Sequence, residues 1–444
     1  MNPNIAANQQ RLFLAFLAEL RPHVRRDSSL PRRIKEIFAR HRALGSRDRK
    51  LYRELVYTYL RFLPWIDGLL DADAALAAKI TAWLAPESKP TSSYRAAHCG
   101  DWPAVPDSLA AKSAFLISRF FCPAAAGTNT GLAAASNGAA FSFSPAALLP
   151  EWFRSHCPAV FASPHLDALN SRANVWVRIQ CNDRNLVLDE FRARNWAFTI
   201  PADFPDAVCL PPNAEVATSD AYRRGFVEIQ DLGSQMLLAH APLPLTGRWL
   251  DACAGAGGKT LQLARLLGSS GHVDAADIRP EILEELRDRA QRARLDNVRI
   301  TNIHPMSAAQ SPTGNVRNTN IGAAVYDGVL VDAPCSGSGT WRRQPHLKWY
   351  VQPETIAAFA KTQLEILTVN APRVKPGGLL IYATCSLSHH ENHDVVAAFL
   401  AAHSHFKAEP PAKNHGGTFD GLGTTLLPGT HNTDGFYVAL LRKS

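Results

Sequence analysis

The second half of the chain alternates short apolar segments with amphipathic ones, and this alternation limits the fold more than any other feature of the sequence. From Thr246 onward, five segments are predicted strands: RWLDACAG, GHVDAADI, NVRITNI, YDGVLVDAP and GGLLIYATCS. The segments LQLARLLG, EILEELRDRAQRAR and TIAAFAKTQLEILTVNAPRV are predicted helices between them. Such alternation predicts an α/β, Rossmann-like parallel sheet covered by helices on both faces. Ligands of these sheets bind at the carboxyl ends of the strands, so the active residues are expected there.

The rest of the chain has a different character. A chain of 444 residues, 46% of them hydrophobic, is long enough for more than one core. Leu51, Leu55 and Tyr59 recur at four-residue spacing, which is typical of a helix, and the first third is predicted to be helical. The segment 86–106 is predicted to be a loop, and 124–144 a linker. The predicted domains are residues 1–135 (helical), 136–240 (small α/β) and 241–444 (Rossmann-like).

Composition restricts the setting and the partners. The net charge is +8, and twelve basic residues fall between Arg21 and Arg53. Such a cluster can bind a phosphate backbone or form a solvated helical face, and both interpretations stay open. No apolar stretch reaches the roughly 18 residues of a membrane span, and no signal-peptide pattern is present, so a cytoplasmic protein is expected. We also expect a monomer.

The eight cysteines show no C-x-x-C spacing, which argues against a zinc ribbon or a disulfide scaffold. The sequence HHENH, from His389 to His393, lacks the spacing of a zinc-protease helix. No metal site is therefore predicted.

The segment DACAGAGGKT ends the first strand and opens a helix, and its small residues let backbone N–H groups approach a ligand. A P-loop would need glycine where this chain has Cys253, and a dinucleotide loop would need glycine where it has Thr260. S-adenosylmethionine is the remaining candidate. Its ribose needs a carboxylate at the end of the next strand, and Asp277 lies nineteen residues after Gly258, close to the usual spacing.

Two cysteines follow predicted strands between small residues, Cys335 in DAPCSG and Cys385 in ATCSL. A thiolate can add to carbon 6 of a pyrimidine and so make carbon 5 nucleophilic enough to accept a methyl group. A second group must then remove the proton at carbon 5. Asp332 could stabilise the activated ring. The pair therefore indicates methylation of a pyrimidine at carbon 5.

The series IQDLGSQ, DACAGAGGKT, ADIRP, VDAPCSGSGTWRRQPHLKW, YATCSLSHHEN and TDGFYVALLRK resembles the motifs of the Sun family of RNA cytosine-C5 methyltransferases, over about residues 225–444. The resemblance implies that Cys385 is the nucleophile, that Cys335 assists product release, and that S-adenosylmethionine is the cofactor. It implies a cofactor site made of Cys253, Ala254, Gly255, Ala256, Gly257, Gly258, Lys259, Asp277, His304 and Asp332. The chain departs from the family pattern at Ala256, where proline is usual, at His304, where an aspartate is usual, and at Gln180, where asparagine is usual.

The front of the chain extends the resemblance. The segment SRDRKLYRELVYTYLRFLPWIDGLL is similar to the NusB-like helical RNA-binding domain of the bacterial 16S rRNA methyltransferase B subfamily. This implies 16S rRNA as substrate, with transfer RNA as the alternative. A non-catalytic ribosome-assembly factor and a DNA methyltransferase are further alternatives. The two cysteines and Asp332 disfavour the first, and Cys385 together with the helical front domain disfavours the second. The residues predicted to contact RNA are Arg178, Arg342, Arg343 and Lys348, although the tryptophans beside the last three also suit structural packing.

Overall fold

The computed structural model of the chain describes residues 3–120, 142–243, 245–301 and 325–444. Their contacts divide the chain into two compact units. The helical unit comprises Met1–Arg172 together with Trp341–Gln352, and the sheet unit comprises Ala173–Thr340 together with Pro353–Ser444. The predicted boundaries near residues 135 and 240 stay predictions. Among the helices of the described ranges, none combines the length and the apolar character that a membrane span requires.

The helical unit confirms the helical character predicted for the first third of the chain. Its helices are α1 (Pro3–Leu20), α2 (Leu30–Arg40), α3 (Ser46–Arg61), α4 (Leu63–Ile66), α5 (Leu69–Ala72), α6 (Ala74–Leu84), α7 (Lys89–Cys99), α8 (Leu109–Phe120), α9 (His165–Leu169) and α15 (Leu347–Tyr350). Leu51, Leu55 and Tyr59 of α3 are all buried, as their spacing predicted. Because these residues lie on one face of the helix, they join it to the core of the unit.

The loop predicted for 86–106 is wrong, because α7 occupies its centre. The prolines and serines taken as loop signals begin this helix instead. Ser88 is its N-cap, and its hydroxyl accepts a hydrogen bond from the backbone N–H of Thr91, while Pro90 lies in the first turn. Most of the predicted linker 124–144 lies outside the described residues.

The sheet unit contains a small antiparallel sheet that precedes the large one. Its strands are β1 (Val175–Ile179), β2 (Ala207–Leu210) and β3 (Val227–Ile229), in the order β2-β1-β3. The helices α10 (Asn185–Ala193) and α11 (Asp220–Arg223) belong to the same region, and a core that includes Val177, Phe191 and Val208 holds it together. The sequence predicts a strand over 175–180, a helix after Asn182 and a strand over about 225–230, and β1, α10 and β3 agree with these predictions, whereas β2 was not predicted.

The large sheet is the Rossmann-like element predicted from the alternating pattern. Its strands are β4 (Gly247–Asp251), β5 (Gly271–Ala275), β6 (Val298–Ile300), β7 (Tyr326–Asp332), β8 (Val374–Thr384), β9 (Phe406–Glu409), β10 (Thr418–Phe419), β11 (Thr424–Leu426) and β12 (Phe436–Lys443). Strands β6-β5-β4-β7-β8 are parallel in that order, and β12 pairs antiparallel with β8 and with β9. The accompanying helices are α12 (Leu232–Ala239), α13 (Gly258–Leu267), α14 (Pro280–Arg292), α16 (Pro353–Asn370), α17 (His393–Ala402) and α18 (Pro428–His431).

Strand β8 shows why the central strands have continuous apolar sequences. Leu380 and Tyr382 belong to one buried cluster, whereas Leu379, Ile381 and Ala383 belong to another. Successive side chains of a strand point to opposite faces, so both faces of the sheet are covered. Burial of each large apolar side chain contributes roughly 1.5–3 kcal/mol, which fixes the register of the strand and the position of its carboxyl end.

Candidate active site

A cavity of about 470 Å³ lies at the carboxyl ends of β4, β5 and β7. Eight residues of the predicted cofactor site line it: Cys253, Ala254, Gly255, Ala256, Gly258, Lys259, Asp277 and Asp332. Ser234, Asp251, Ile278, Arg279, Pro334 and Ile366 also contribute to its walls. Gly257 forms the turn beside it, and His304 lies outside the described residues. The structure thus brings together most of the residues that were predicted from separate motifs.

The glycine-rich turn after β4 depends on Gly257. This residue has a φ of +91°, and a Cβ added to it would come within 2.8 Å of Leu286 Cγ. A side chain here would therefore meet both backbone strain and a steric clash. The turn leads directly into α13, whose N-terminus carries partial positive charge at the edge of the cavity.

Asp277 presents a charged carboxylate to the cavity. Its oxygens accept hydrogen bonds from the Gly255 N–H at 2.9 Å and from the Arg279 N–H and Nε, both at 3.0 Å. Burial alone would raise the pKa of Asp277, but the hydrogen bonds and the charge of Arg279 outweigh it and lower the pKa. The carboxylate is therefore ionised and held in place by the turn that it faces.

Lys259 and Asp332, which also line this cavity, form an ion pair with 2.6 Å between Nζ and Oδ2. Burial would lower the pKa of Lys259, but the charge of Asp332 and this hydrogen bond raise it. Asp251 lies nearby, almost fully buried, and accepts a hydrogen bond from Thr260 Oγ1 at 2.7 Å. Burial raises the pKa of Asp251 to about 7. Asp251 was not among the residues predicted for the cofactor site.

The two cysteines predicted to be reactive are in contact. Cys335 Sγ and Cys385 Sγ lie 3.2 Å apart, although the residues are fifty positions apart in sequence. This hydrogen bond, together with burial, raises the pKa of Cys335 well above its ordinary value. Either sulfur can be the donor of this hydrogen bond, and the ammonium of Lys259 interacts electrostatically with Cys385. The structure thus brings the two sulfurs together beside a cation.

Glu391 joins the loops that carry the two cysteines, a role that was not predicted from its sequence. Its carboxylate accepts hydrogen bonds from the Ser336 N–H at 2.8 Å, from Ser336 Oγ at 2.5 Å and from Ser386 Oγ at 2.5 Å. Gln363 Nε2 donates a further bond at 3.1 Å. The side chain is fully buried, and burial raises its pKa despite these donors. The serine after each cysteine was the available signal, since each buried hydroxyl needs a hydrogen-bond partner.

Three of the four residues predicted to contact RNA are buried: Arg178, Arg342 and Lys348. Lys348 is fully buried in the helical unit, and its ammonium donates to Arg61 O, Leu148 O and Asn170 Oδ1 at 2.7 to 3.2 Å. Arg342 is buried in the same unit, whereas Arg343 is exposed. The three hydrogen bonds of Lys348 use all the donors of an ammonium, which argues for a structural role in this segment. Contact of the four residues with RNA stays a prediction.

The segment after Cys385 brings together three possible metal ligands, although no metal site was predicted there. One ligand atom each from His389, His390 and Asp394 lies within 4.8 Å of the others, and all three residues are exposed. His390 Nδ1 and Asp394 Oδ2 are 2.7 Å apart, as in an ordinary hydrogen bond. Absence of a metal stays a prediction.

The parallel order of the sheet, its antiparallel β12 and the cavity at the strand ends define a Rossmann-like methyltransferase fold. The sequence profile of the family described as 16S rRNA methyltransferase RsmB/F matches residues 241–442. Ribosomal RNA small subunit methyltransferase B of Enterobacter sp. strain 638 is 32% identical over 303 residues, which cover 67% of each protein. The chain belongs to the RsmB/F family of 16S rRNA methyltransferases, which confirms the predicted family and fold class.

A second relative agrees with this assignment, and two solved structures share the fold. The protein of the same name from Vibrio vulnificus is 32% identical over 283 residues, which cover 63% of this chain and 62% of that protein. The chain thus spans between 62% and 67% of the length of these two relatives. The crystal structure of PH0851 matches this chain with a TM-score of 0.68 at 22% identity. The match covers all of this chain and 99% of the PH0851 chain. NSun6 from Pyrococcus horikoshii, solved with SFG, matches 66% of this chain and 97% of its own with a TM-score of 0.56 at 18% identity. At these identities, the solved structures establish the fold alone.

Proposed function

We propose that this protein transfers a methyl group from S-adenosylmethionine to carbon 5 of a cytidine in RNA, through a covalent bond between Cys385 and carbon 6. One observation carries the proposal: two thiols from the ends of neighbouring strands lie 3.2 Å apart, next to the ion pair of Lys259 and Asp332. This chemistry needs a nucleophile and a second group that handles protons.

The cavity fits S-adenosylmethionine. Its volume of about 470 Å³ falls within the roughly 300–1,000 Å³ that is usual for ligand sites. The ionised Asp277 would accept hydrogen bonds from the ribose hydroxyls, the turn at Gly255 would face the methionine part, and Ile278 would offer an apolar surface to the adenine. When bound, the cofactor supplies an electrophilic methyl group on its sulfonium. SFG, with which the NSun6 structure was solved, is an analogue of this cofactor.

The residues of the chain would then act on the base in sequence. The Cys385 thiolate forms a bond to carbon 6, and the electron pair of the double bond between carbons 5 and 6 moves to carbon 5. Carbon 5 takes the methyl group, and a base then removes its proton while the bond between Cys385 and carbon 6 breaks. The largest cause of the raised pKa of Cys335 is its hydrogen bond to Cys385, and this bond is lost once Cys385 is joined to carbon 6. Cys335 would then release its own proton to solvent and, as a thiolate, accept the proton from carbon 5, while Asp332 would hold the polar edge of the ring.

The substrate proposed is 16S rRNA, and this rests on the names of the relatives together with the cationic front of the chain. Base stacking must be broken for a cytosine to reach the thiols, so the target is an unpaired or flipped nucleotide. Modification of rRNA would place the enzyme in the bacterial cytoplasm.

Labelled methyl donor, 16S rRNA and three protein variants test the proposal on a denaturing gel. Cys335→Ala is expected to accumulate a protein-RNA adduct, because the proton at carbon 5 is not removed and Cys385 cannot leave. Cys385→Ala is expected to form no adduct and to transfer no methyl group. Cys181→Ala is the matched control, since Cys181 is half-buried in the region of the small sheet, and it should behave as the wild type.

The outcomes separate the alternatives. An adduct that depends on Cys335 instead would reverse the two roles. Transfer to transfer RNA but not to rRNA would change the substrate and keep the chemistry. Binding of RNA by the wild-type protein without any transfer would favour a non-catalytic assembly factor.

A further inference from the structure

A second cavity, of about 630 Å³, lies in the sheet unit and shares no lining residue with the first. Its walls come from β1, from the segment 203–207 before and at the start of β2, from α12 and α13, and from residues 412–415. The volume is of the size that takes a small ligand. No step of the proposed reaction uses this cavity.

Arg178 of β1 is a buried residue in the wall of this cavity. Its neighbours Val177 and Ile179 point to the core of the small sheet, so the guanidinium lies on the opposite face of the strand. Nε donates to Gln230 Oε1 at 2.7 Å, whereas Nη2 is buried and has no hydrogen-bond partner among the described residues. Burial lowers the pKa of Arg178 to about 10, so it remains charged at neutral pH. A buried cation with an unused donor is costly unless a ligand completes its hydrogen bonds.

The remaining walls indicate the chemistry of that ligand. Arg265 and the exposed Lys413 add two cations to the rim. Phe204 and Leu243 provide apolar surface, and Leu243 is 53% exposed. Cations beside apolar and aromatic surface suit a phosphate attached to a flat base. The acids Asp203 and Asp206, which also line the cavity, can accept hydrogen bonds from exocyclic amino groups.

Hydrogen bonds connect this cavity with the first one. Gln230 accepts from Arg178, and its amide donates to Gln262 Oε1 at 3.0 Å and to Ser234 Oγ at 3.3 Å. Gln262 lines the second cavity, whereas Ser234 lines the first. Lys259 of the first cavity also lies three residues before Gln262 on α13, which is less than one helical turn. The two cavities are therefore neighbours along one helix.

We propose that the second cavity is a nucleotide-binding subsite, in which Arg178, Arg265 and Lys413 bind a phosphate and the apolar wall at Phe204 packs against a base. The nucleotide belongs to the same RNA strand as the cytosine that reaches Cys385. The choice of RNA as its source rests on the proposed function, whereas the subsite itself does not.

Calorimetric titration of the full-length protein with the four nucleoside monophosphates, one at a time, tests the subsite. The double variant Arg265→Gln/Lys413→Gln is expected to bind at least about tenfold more weakly, since a charge-assisted hydrogen bond contributes roughly that factor. Ala412→Trp fills the exposed rim without removing a charge and should also weaken binding. Lys407→Gln is the matched control, because Lys407 is an exposed lysine that does not line the cavity, and it should bind as the wild type.

Competition by a single-stranded RNA oligonucleotide then identifies the source of the nucleotide. If the RNA displaces the mononucleotide from the wild type, the subsite belongs to the RNA path. If the mononucleotide binds but RNA does not displace it, the assignment to RNA is overturned and the ligand is a free nucleotide. Absence of mononucleotide binding, or equal binding by the rim variants, overturns the subsite. None of these measurements needs methyl transfer, so they are independent of the adduct assay that tests the proposed function.

Discussion

Replacement of Glu391 tests whether its carboxylate holds the two cysteine loops together. Glu391→Ala removes the acceptor of four hydrogen bonds, two from Ser336, one from Ser386 and one from Gln363. The Ser336 N–H is left buried without an acceptor, which costs about 1–3 kcal/mol. The two hydroxyls can still bond to Ser338 Oγ, 3.5 Å from Ser336 Oγ and 3.1 Å from Ser386 Oγ, so their loss is partly compensated.

The cavity left by the missing side chain adds to this cost, while removal of a buried carboxylate reduces it. The net expectation is a loss of about 2–4 kcal/mol in the free energy of unfolding. Glu391→Gln keeps one carbonyl oxygen for the Ser336 N–H and can donate its amide hydrogens to the hydroxyls. It should therefore cost only about 1 kcal/mol or less. The geometry therefore predicts a lower free energy of unfolding for Glu391→Ala than for Glu391→Gln.

Urea denaturation at pH 7, followed by circular dichroism, measures both free energies. A second assay follows the geometry directly, because the contact between Cys335 and Cys385 depends on the two loops. Formation of a disulfide between them under diamide should be slower in Glu391→Ala than in Glu391→Gln. Equal stabilities for the two variants, together with equal rates of disulfide formation, would refute the role assigned to the carboxylate.

Three further predictions concern the groups around the first cavity. Diamide or peroxide should link Cys335 and Cys385 in the wild type, as peptide mass spectrometry would show, and dithiothreitol should reverse the bond; failure to form it would contradict the 3.2 Å contact. Burial raises the pKa of Asp251 to about 7, so between about pH 4 and pH 7 the folded protein keeps a proton on this carboxyl group that the unfolded chain has released. The free energy of unfolding therefore decreases as the pH rises through this range. Denaturation at several pH values should show wild type losing up to about 4 kcal/mol relative to Asp251→Asn over that range. Lys259→Met should destabilise the protein by about 3 kcal/mol, and adding Asp332→Asn should recover much of the loss; additive losses in denaturation would contradict the ion pair.

The parts of the fold that follow from periodicity were predictable. The five parallel strands β4 to β8 and the turn at Gly257 have local signals, whereas β9 to β12 were not predicted. The carboxyl ends of parallel strands necessarily meet at one edge. That is why Asp277 and Asp332, read from separate motifs, line one cavity. The contact between Cys335 and Cys385 follows for the same reason, since β7 and β8 are neighbours.

The features that were missed depend on partners distant in sequence. Nothing local to Glu391 indicates that it accepts hydrogen bonds from a loop 55 residues earlier. Likewise, the cations and tryptophans at 341–349 are typical of an RNA surface, but Lys348 is buried because carbonyls of α3 and of the segment before α9 are its acceptors. In α7, Ser88 is the N-cap, so a proline- and serine-containing segment that usually favours a loop forms the start of a helix.

The assignment of Trp341–Gln352 to the helical unit affects how the protein responds to proteolysis. The chain passes between the two units three times, after residues 172, 340 and 352. A cut after residue 172 breaks the only covalent link between residues 1–172 and the rest of the chain, and the segment Trp341–Gln352 then stays in the helical unit through noncovalent contacts, among them the hydrogen bonds of Lys348. Limited proteolysis at this point should therefore give two fragments that separate on a denaturing gel but migrate together under native conditions. A chain shortened to begin at 173 would carry Trp341 and Lys348 without the carbonyls and side chains that now bury them.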